Sequence, residues 1–175
     1  MPTDAETLAA FDVLFETAVA AGPDVSIDYD LPAPRWQFIC HVADTRDVVL
    51  HGSGNPSIAR FEPRQPTDIT EFGNRNAIYG ASDGLWPMYY AILDRERFPM
   101  SLNNTSVRLI EADGSVGEPH YFFSISEKAL VVSPWRRGMV YFLPRNSFEQ
   151  QAPSTFQGQP ILIPQWAGAE PVVPL

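Results

Sequence analysis

Proline and glycine stop almost every apolar stretch of this chain before it can become a long element. Val48-Val49-Leu50 runs into His51-Gly52, Ala77-Ile78-Tyr79 into Gly80, and Gly138 to Leu143 into Pro144. Seventeen prolines and 11 glycines are spread along the chain. Proline removes a backbone donor and glycine favours turns, so this spacing predicts short strands and loops with few helices. With 175 residues, 45% of them hydrophobic, the chain can bury one full core and is short for two. The expectation is a single α+β domain over 1–175, with a helical segment over 1–46 and a β-rich core over 47–175.

A few segments carry helical spacing instead. Thr3-Asp4-Ala5-Glu6 has the form of a capping box, and Leu8, Phe11, Phe15 and Ala18 then share one stripe until Gly22-Pro23. From Pro34 a second helix would present Trp36, Ile39, Cys40 and Ala43 on one face. After Ser82-Asp83, Leu85, Met88, Tyr89 and Ile92 fall on one helical stripe, and Tyr89-Tyr90 are expected in the core. Short helices are also expected after Asn55-Pro56, carrying Ile58 and Phe61 inward, and at Ser147-Phe148-Glu149-Gln150. Asp113-Gly114 marks a hairpin between 107–111 and 121–126, with last strands at Ile161-Leu162-Ile163 and Pro171-Val172-Val173. The long loop 62–76 has a length that often accompanies function or mobility.

The charge balance narrows the function classes. Twelve Lys and Arg against 21 Asp and Glu leave a net charge of −9, which repels phosphate backbones and anionic membranes, so neither nucleic acid nor membrane is an expected partner. Cys40 is the single cysteine, which excludes an internal disulfide and predicts a buried inert thiol. The acidic, amphipathic N-terminus is unlike a signal peptide, and a cytoplasmic location is expected. His41, His51 and His120 lack metal-ligand spacing, so no metal is expected. The G-x-S-x-G, P-loop and G-x-G-x-x-G patterns are all absent.

What remains is a pair of strand edges. His51-Gly52-Ser53 ends one apolar run and precedes Ser57-Ile58-Ala59-Arg60-Phe61; Ile78-Tyr79-Gly80-Ala81 ends the next and precedes Ser82-Asp83 and a helix. Small residues beside each polar one let a ligand approach the backbone closely. This pair resembles the ADP-ribosyltransferase superfamily, in its His-Tyr-Glu branch, over roughly residues 47–175, and the resemblance implies a mostly antiparallel, split β-core. The stretch from His51 to Arg95, with Pro134-Trp135-Arg136, also resembles segments of bacterial proteins, a likeness that carries no activity with it.

The resemblance implies an NAD-binding cleft. His51 would bond a ribose hydroxyl, the Gly52 backbone would hold the nicotinamide carboxamide, Ser53 would belong to the same cofactor site, and Tyr79 would stack on the nicotinamide ring. It implies cleavage of the nicotinamide–ribose bond through an oxocarbenium-like ribose and transfer of ADP-ribose to an acceptor that the sequence does not name. Arg136 or Arg137 would lie near the diphosphate, since arginine grips phosphate with two parallel bonds. The third family residue is a Glu at the start of a later strand. Glu170, before Pro171-Val172-Val173, has the right order; Gln165 before Trp166 stands at a similar strand-opening position without charge, and Glu149 reads as helical. The alternative is a catalytically inactive form of the same fold that binds a protein partner. An RNA 2′-phosphotransferase type would need basic residues that this acidic chain lacks.

Overall fold

The computed structural model describes residues 3–175; Met1 and Pro2, the first residues of the expected 1–46 segment, lie outside them. Helix α1, Ala5–Ala21, is capped by Asp4 and not by Thr3: the Asp4 carboxylate accepts the Thr7 N–H at 2.8 Å. Gly22 ends it with a φ of 94°, a conformation open to glycine. Helix α2, Arg35–Thr45, buries Phe38, Val42 and Ala43. Trp36, expected on the core face, is 49% exposed. Apolar periodicity fixes how wide a stripe is; the aromatic partners on α1, Phe11 above all, decide which edge turns inward, and Phe11 meets Phe38 edge-on at 5.7 Å. No helix among the described residues is long and apolar enough to cross a membrane.

The remaining elements run β1 Val48–Ser53, β2 Ile78–Ala81, α3 Leu85–Ile92, β3 Leu102–Ile110, β4 Val116–Ile125, α4 Glu127–Val131, β5 Met139–Pro144, β6 Glu149–Gln150, β7 Ser154–Phe156, β8 Gln159–Leu162 and β9 Gln165–Gly168. They form a five-stranded sheet ordered β5-β1-β2-β9-β6 and a four-stranded one ordered β4-β3-β8-β7. Every pairing between named strands is antiparallel. The class is therefore α+β with two antiparallel sheets.

Several local expectations change. No helix follows Asn55-Pro56. There the Asn55 side chain accepts the Ser57 N–H, while the Tyr141 hydroxyl donates to the Asn55 carbonyl and accepts the Ile58 N–H, which pins the segment in an open form. Phe61 then exchanges backbone bonds with Val172, so the expected strand at 171–173 is a single bridge. Residues 147–150 are not a helix: a short 3-10 turn, Arg145–Ser147, leads into β6. Strand β9, Gln-Trp-Ala-Gly, opens at Gln165, the strand-opening position read from the sequence.

α1 and α2 pack on β1 and β5 through Phe11, Phe15, Phe38, Val42, Val48 and Leu50, with Val140 and Phe142 beside them. Burying each such aromatic side chain contributes roughly 1.5–3 kcal/mol. α3 docks differently. Its inward positions are Trp86, Pro87 and Ala91, not the expected stripe, and Ile92 is 42% exposed. A Cβ at Gly52 would lie 1.8 Å from the Pro87 carbonyl oxygen, and one at Gly138 2.1 Å from that of Ala91. Helix and strands thus meet backbone to backbone over glycines. Buried Asp83 holds the start of α3: one carboxylate oxygen accepts the Leu85 and Trp86 N–H groups, and the other accepts the Tyr121 hydroxyl at 2.6 Å and that of Ser106 at 3.3 Å. These bonds tie α3 to the four-stranded sheet.

Candidate functional site

Strand register sorts the predicted residues onto two faces. Leu50 pairs with Ala81 and Phe142, and His51 with Tyr141, so successive β1 side chains alternate between the helix face and the face bearing Phe61, Ile78 and Leu143. Leu50 and Gly52 lie on the helix face, and His51 on the other. On β2 the same alternation puts Tyr79 with Ala81 on the helix face. The structure does not bring the His51 and Tyr79 side chains together.

His51 closes a gap between strands. One registered pair joins β1 to β2, and beyond it the His51 Nδ1 donates to the Tyr79 carbonyl at 2.6 Å. A carbonyl offers no proton, so Nδ1 carries the hydrogen and Nε2 of the neutral ring is the acceptor. Phe61 meets the imidazole edge-on at 4.8 Å. Burial pushes the His51 pKa below its ordinary value; the bond to Tyr79 opposes that shift and the Arg64 charge adds to it.

Tyr79 is equally committed. Its hydroxyl accepts the Arg75 N–H at 2.8 Å and points its proton at the carbonyls of Phe72, 2.8 Å away, and Arg75, 3.0 Å away. Its ring packs with Phe72, Ala77 and Ala167. Tyr79 therefore anchors the end of the 62–76 loop. Burial raises its pKa, with the Arg75 backbone bond opposing.

The carboxylates lie elsewhere. Glu170 is exposed in a bend beyond β9. Gln165 opens β9 opposite Ala81. Glu149, a strand residue opposite Ala167, pairs with Arg75 at 3.1 Å. Arg137 is exposed.

A cavity of about 300 Å³ opens where β1 ends. Gly52, Ser53 and Gly54 form one wall, Tyr90 of α3 another, and Arg95, Glu96 and Arg136 the rim. It thus gathers three of the predicted residues, Gly52, Ser53 and Arg136, and leaves out His51, Tyr79, Glu170 and Arg137. The Arg136 guanidinium lies on Gly54, where a Cβ would come within 1.7 Å of Cζ. Arg136 Nη1 is 3.8 Å from the Asp94 carboxylate and 3.7 Å from that of Glu96, both beyond hydrogen-bond length. Its Nε is buried with no partner among the described residues. This is a mostly enclosed fork of donors whose bonds are unspent.

Tyr90, Gly54, Arg95 and Glu96 were not singled out from sequence as site residues. The sequence places Tyr90 in the core beside Tyr89, and the stripe of Leu85, Met88, Tyr89 and Ile92 gives no signal that marks it as a cavity wall. Burial raises its pKa, opposed by a hydrogen bond with Asn104 and by the Arg95 charge. Arg95 stands 6.0 Å from the Tyr90 ring centre. Cys40, by contrast, faces Gly84, and burial, then the Asp83 and Asp44 charges, push its thiol up to about 12; such a thiol is not a nucleophile at neutral pH. Among the described residues no three His, Cys, Asp or Glu side chains converge as a metal site. The chain matches no protein-family model, and no curated protein or solved structure shows a significant match to it.

Proposed function

We propose that this chain binds NAD in the cavity at the end of β1, within an ADP-ribosyltransferase-like architecture. One observation carries this: the cavity joins Gly52 and Ser53 of the His-Gly-Ser motif to an aromatic ring, Tyr90, and to the unspent guanidinium of Arg136. A flat ring needs an aromatic wall, an amide needs fixed backbone partners, and a diphosphate needs a fork of donors. In this assignment Gly52 and Ser53 hold the carboxamide, Tyr90 takes the stacking role that the family pattern gives to Tyr79, and Arg136 faces the diphosphate. His51 and Tyr79 hold the strand edges that shape the cavity. Bound NAD would supply the nicotinamide–ribose bond as the one to be cleaved.

The same fold without catalysis, used as a module for a protein partner, is favoured by the position of the carboxylates. Gln165 opens the strand beside β2, and Glu170 is exposed past its end. Calorimetric titration of NAD into the folded wild type, Tyr90→Ala and Arg136→Gln tests the binding. Each substitution should weaken affinity about tenfold or more, a loss of about 1.4 kcal/mol per decade. No heat from the wild type at millimolar NAD overturns the proposal. Nicotinamide release by the wild type that is lost in Glu170→Gln assigns catalysis to that carboxylate; NAD binding without release leaves the inactive form.

A further inference from the structure

The carboxylates beside Arg136 have a use of their own. Two carboxylates face Arg136, and their circumstances differ. Asp94 is mostly buried, its side chain 20% exposed; it accepts the Arg97 N–H at 3.1 Å, and its own N–H donates to the Pro134 carbonyl. It is fixed by the turn it builds. Glu96 has an 87% exposed side chain and makes no other ion pair or hydrogen bond among the described residues. Only its attraction to Arg136, at 3.7 Å, places it at the rim.

We propose that the Arg136 guanidinium is a fork for a phosphate-type oxyanion and that Glu96 is its displaceable internal counter-ion. A diphosphate then enters by exchange, its oxygens taking the guanidinium donors while the Glu96 carboxylate swings into water. The exchange is feasible because Glu96 forfeits no hydrogen bond, whereas the incoming anion makes charge-assisted ones with the terminal guanidinium nitrogens. Gly54 belongs to the device, since its missing side chain is the floor on which the guanidinium lies flat. The exchange also makes the cavity selective. A monoanion gains little over the carboxylate already present, while a doubly charged diphosphate outcompetes it. For the identity of its ligand this rests on the NAD assignment of the same cavity; for the exchange it does not.

Inorganic pyrophosphate, ADP-ribose and NAD are titrated separately into the full chain by calorimetry, at low and at high salt. Glu96→Gln removes the competing charge and keeps the size, so pyrophosphate should bind about three- to tenfold tighter at low salt, with the gain shrinking as salt screens the rim. Arg136→Gln should abolish binding. Gly54→Ala, whose added Cβ must displace the guanidinium, should weaken it strongly while leaving every charge in place, and circular dichroism confirms that each variant is folded. Equal or weaker pyrophosphate binding by Glu96→Gln overturns the exchange, as does undiminished binding by Arg136→Gln. A gain with pyrophosphate and ADP-ribose but no binding of NAD upholds the exchange and overturns the NAD assignment. NAD binding that is indifferent to Glu96→Gln does the reverse.

Discussion

His51 and Gly52 are neighbours on one strand, yet the faces they look onto are built on opposite terms. On the His51 face Nδ1 of the imidazole holds the Tyr79 carbonyl, and the Tyr141 hydroxyl both donates to Asn55 and accepts from Ile58. On the Gly52 face, past the point where α3 touches the strand, the guanidinium of Arg136 makes no hydrogen bond among the described residues, and one of its nitrogens is buried without a partner among them. Buried donors are nearly always satisfied in native proteins, so a buried nitrogen without a partner marks a place to test for a ligand. The lesson is that polar residue types nominate a site, and spent or unspent hydrogen bonds decide it.

The largest way to break this contrast is Gly52→Ala. The added Cβ would sit 1.8 Å from the Pro87 oxygen and 2.7 Å from its carbonyl carbon, backbone atoms that cannot rotate away. Either α3 lifts from β1 or the strand buckles. The expected cost is about 3 kcal/mol or more in urea unfolding, at the upper end of overpacking effects. A variant of wild-type stability would mean that α3 does not rest on the strand and that the Tyr90 wall is misplaced.

A middle-sized effect separates the two tyrosines. Tyr79→Phe removes a hydroxyl that accepts the Arg75 N–H and donates to loop carbonyls, which should cost about 1–2 kcal/mol. Hydrogen exchange should quicken at Phe72 to Arg75, with NAD affinity unchanged. Tyr90→Phe keeps the ring and should likewise retain NAD binding, unlike Tyr90→Ala. NAD affinity lost in Tyr79→Phe would return the stacking role to Tyr79 and erase the contrast between the faces.

Much of the scaffold was legible because it rests on local chemistry. The Phe11 and Phe15 stripe, the Gly22 stop, a strand opening at Val48, the strand ending at Ala81 and the Asp113-Gly114 hairpin all follow from periodicity and turn residues. Which helix face turns inward was not legible for α2 or α3. For α3 the answer depends on Gly52 and Gly138, far apart in sequence, which let Pro87 and Ala91 come in close where a larger residue was expected. The site divided in the same way. Of the residues that the family resemblance nominated, Gly52, Ser53 and Arg136 line the cavity. His51 and Tyr79 have the right residue types beside the right small neighbours, but the register that sends their side chains to opposite faces is set by pairing with β5 and β9.

The smallest effect tests the His51 face by its proton. Folding holds the imidazole pKa below its ordinary 6.5, chiefly by burial. As pH falls through 6.5 the unfolded chain takes up a proton that the folded chain refuses, so the unfolded state binds more protons and stability drops. The decline continues until the folded imidazole also protonates, and its slope cannot exceed about 1.4 kcal/mol per pH unit for one proton. Above 6.5 both states are neutral at this residue and it adds no slope. His51→Asn retains a donor for the Tyr79 carbonyl but cannot titrate. Its stability should therefore be less dependent on acid than that of the wild type below 6.5, and parallel to it above. Taking the difference between the two curves cancels His41 and His120, which both proteins share. Curves that stay parallel through the whole acid range would place the imidazole in water with an ordinary pKa. A solvated His51 would have its Nε2 free for a ligand, so the strand face assigned to structure would become the one to search.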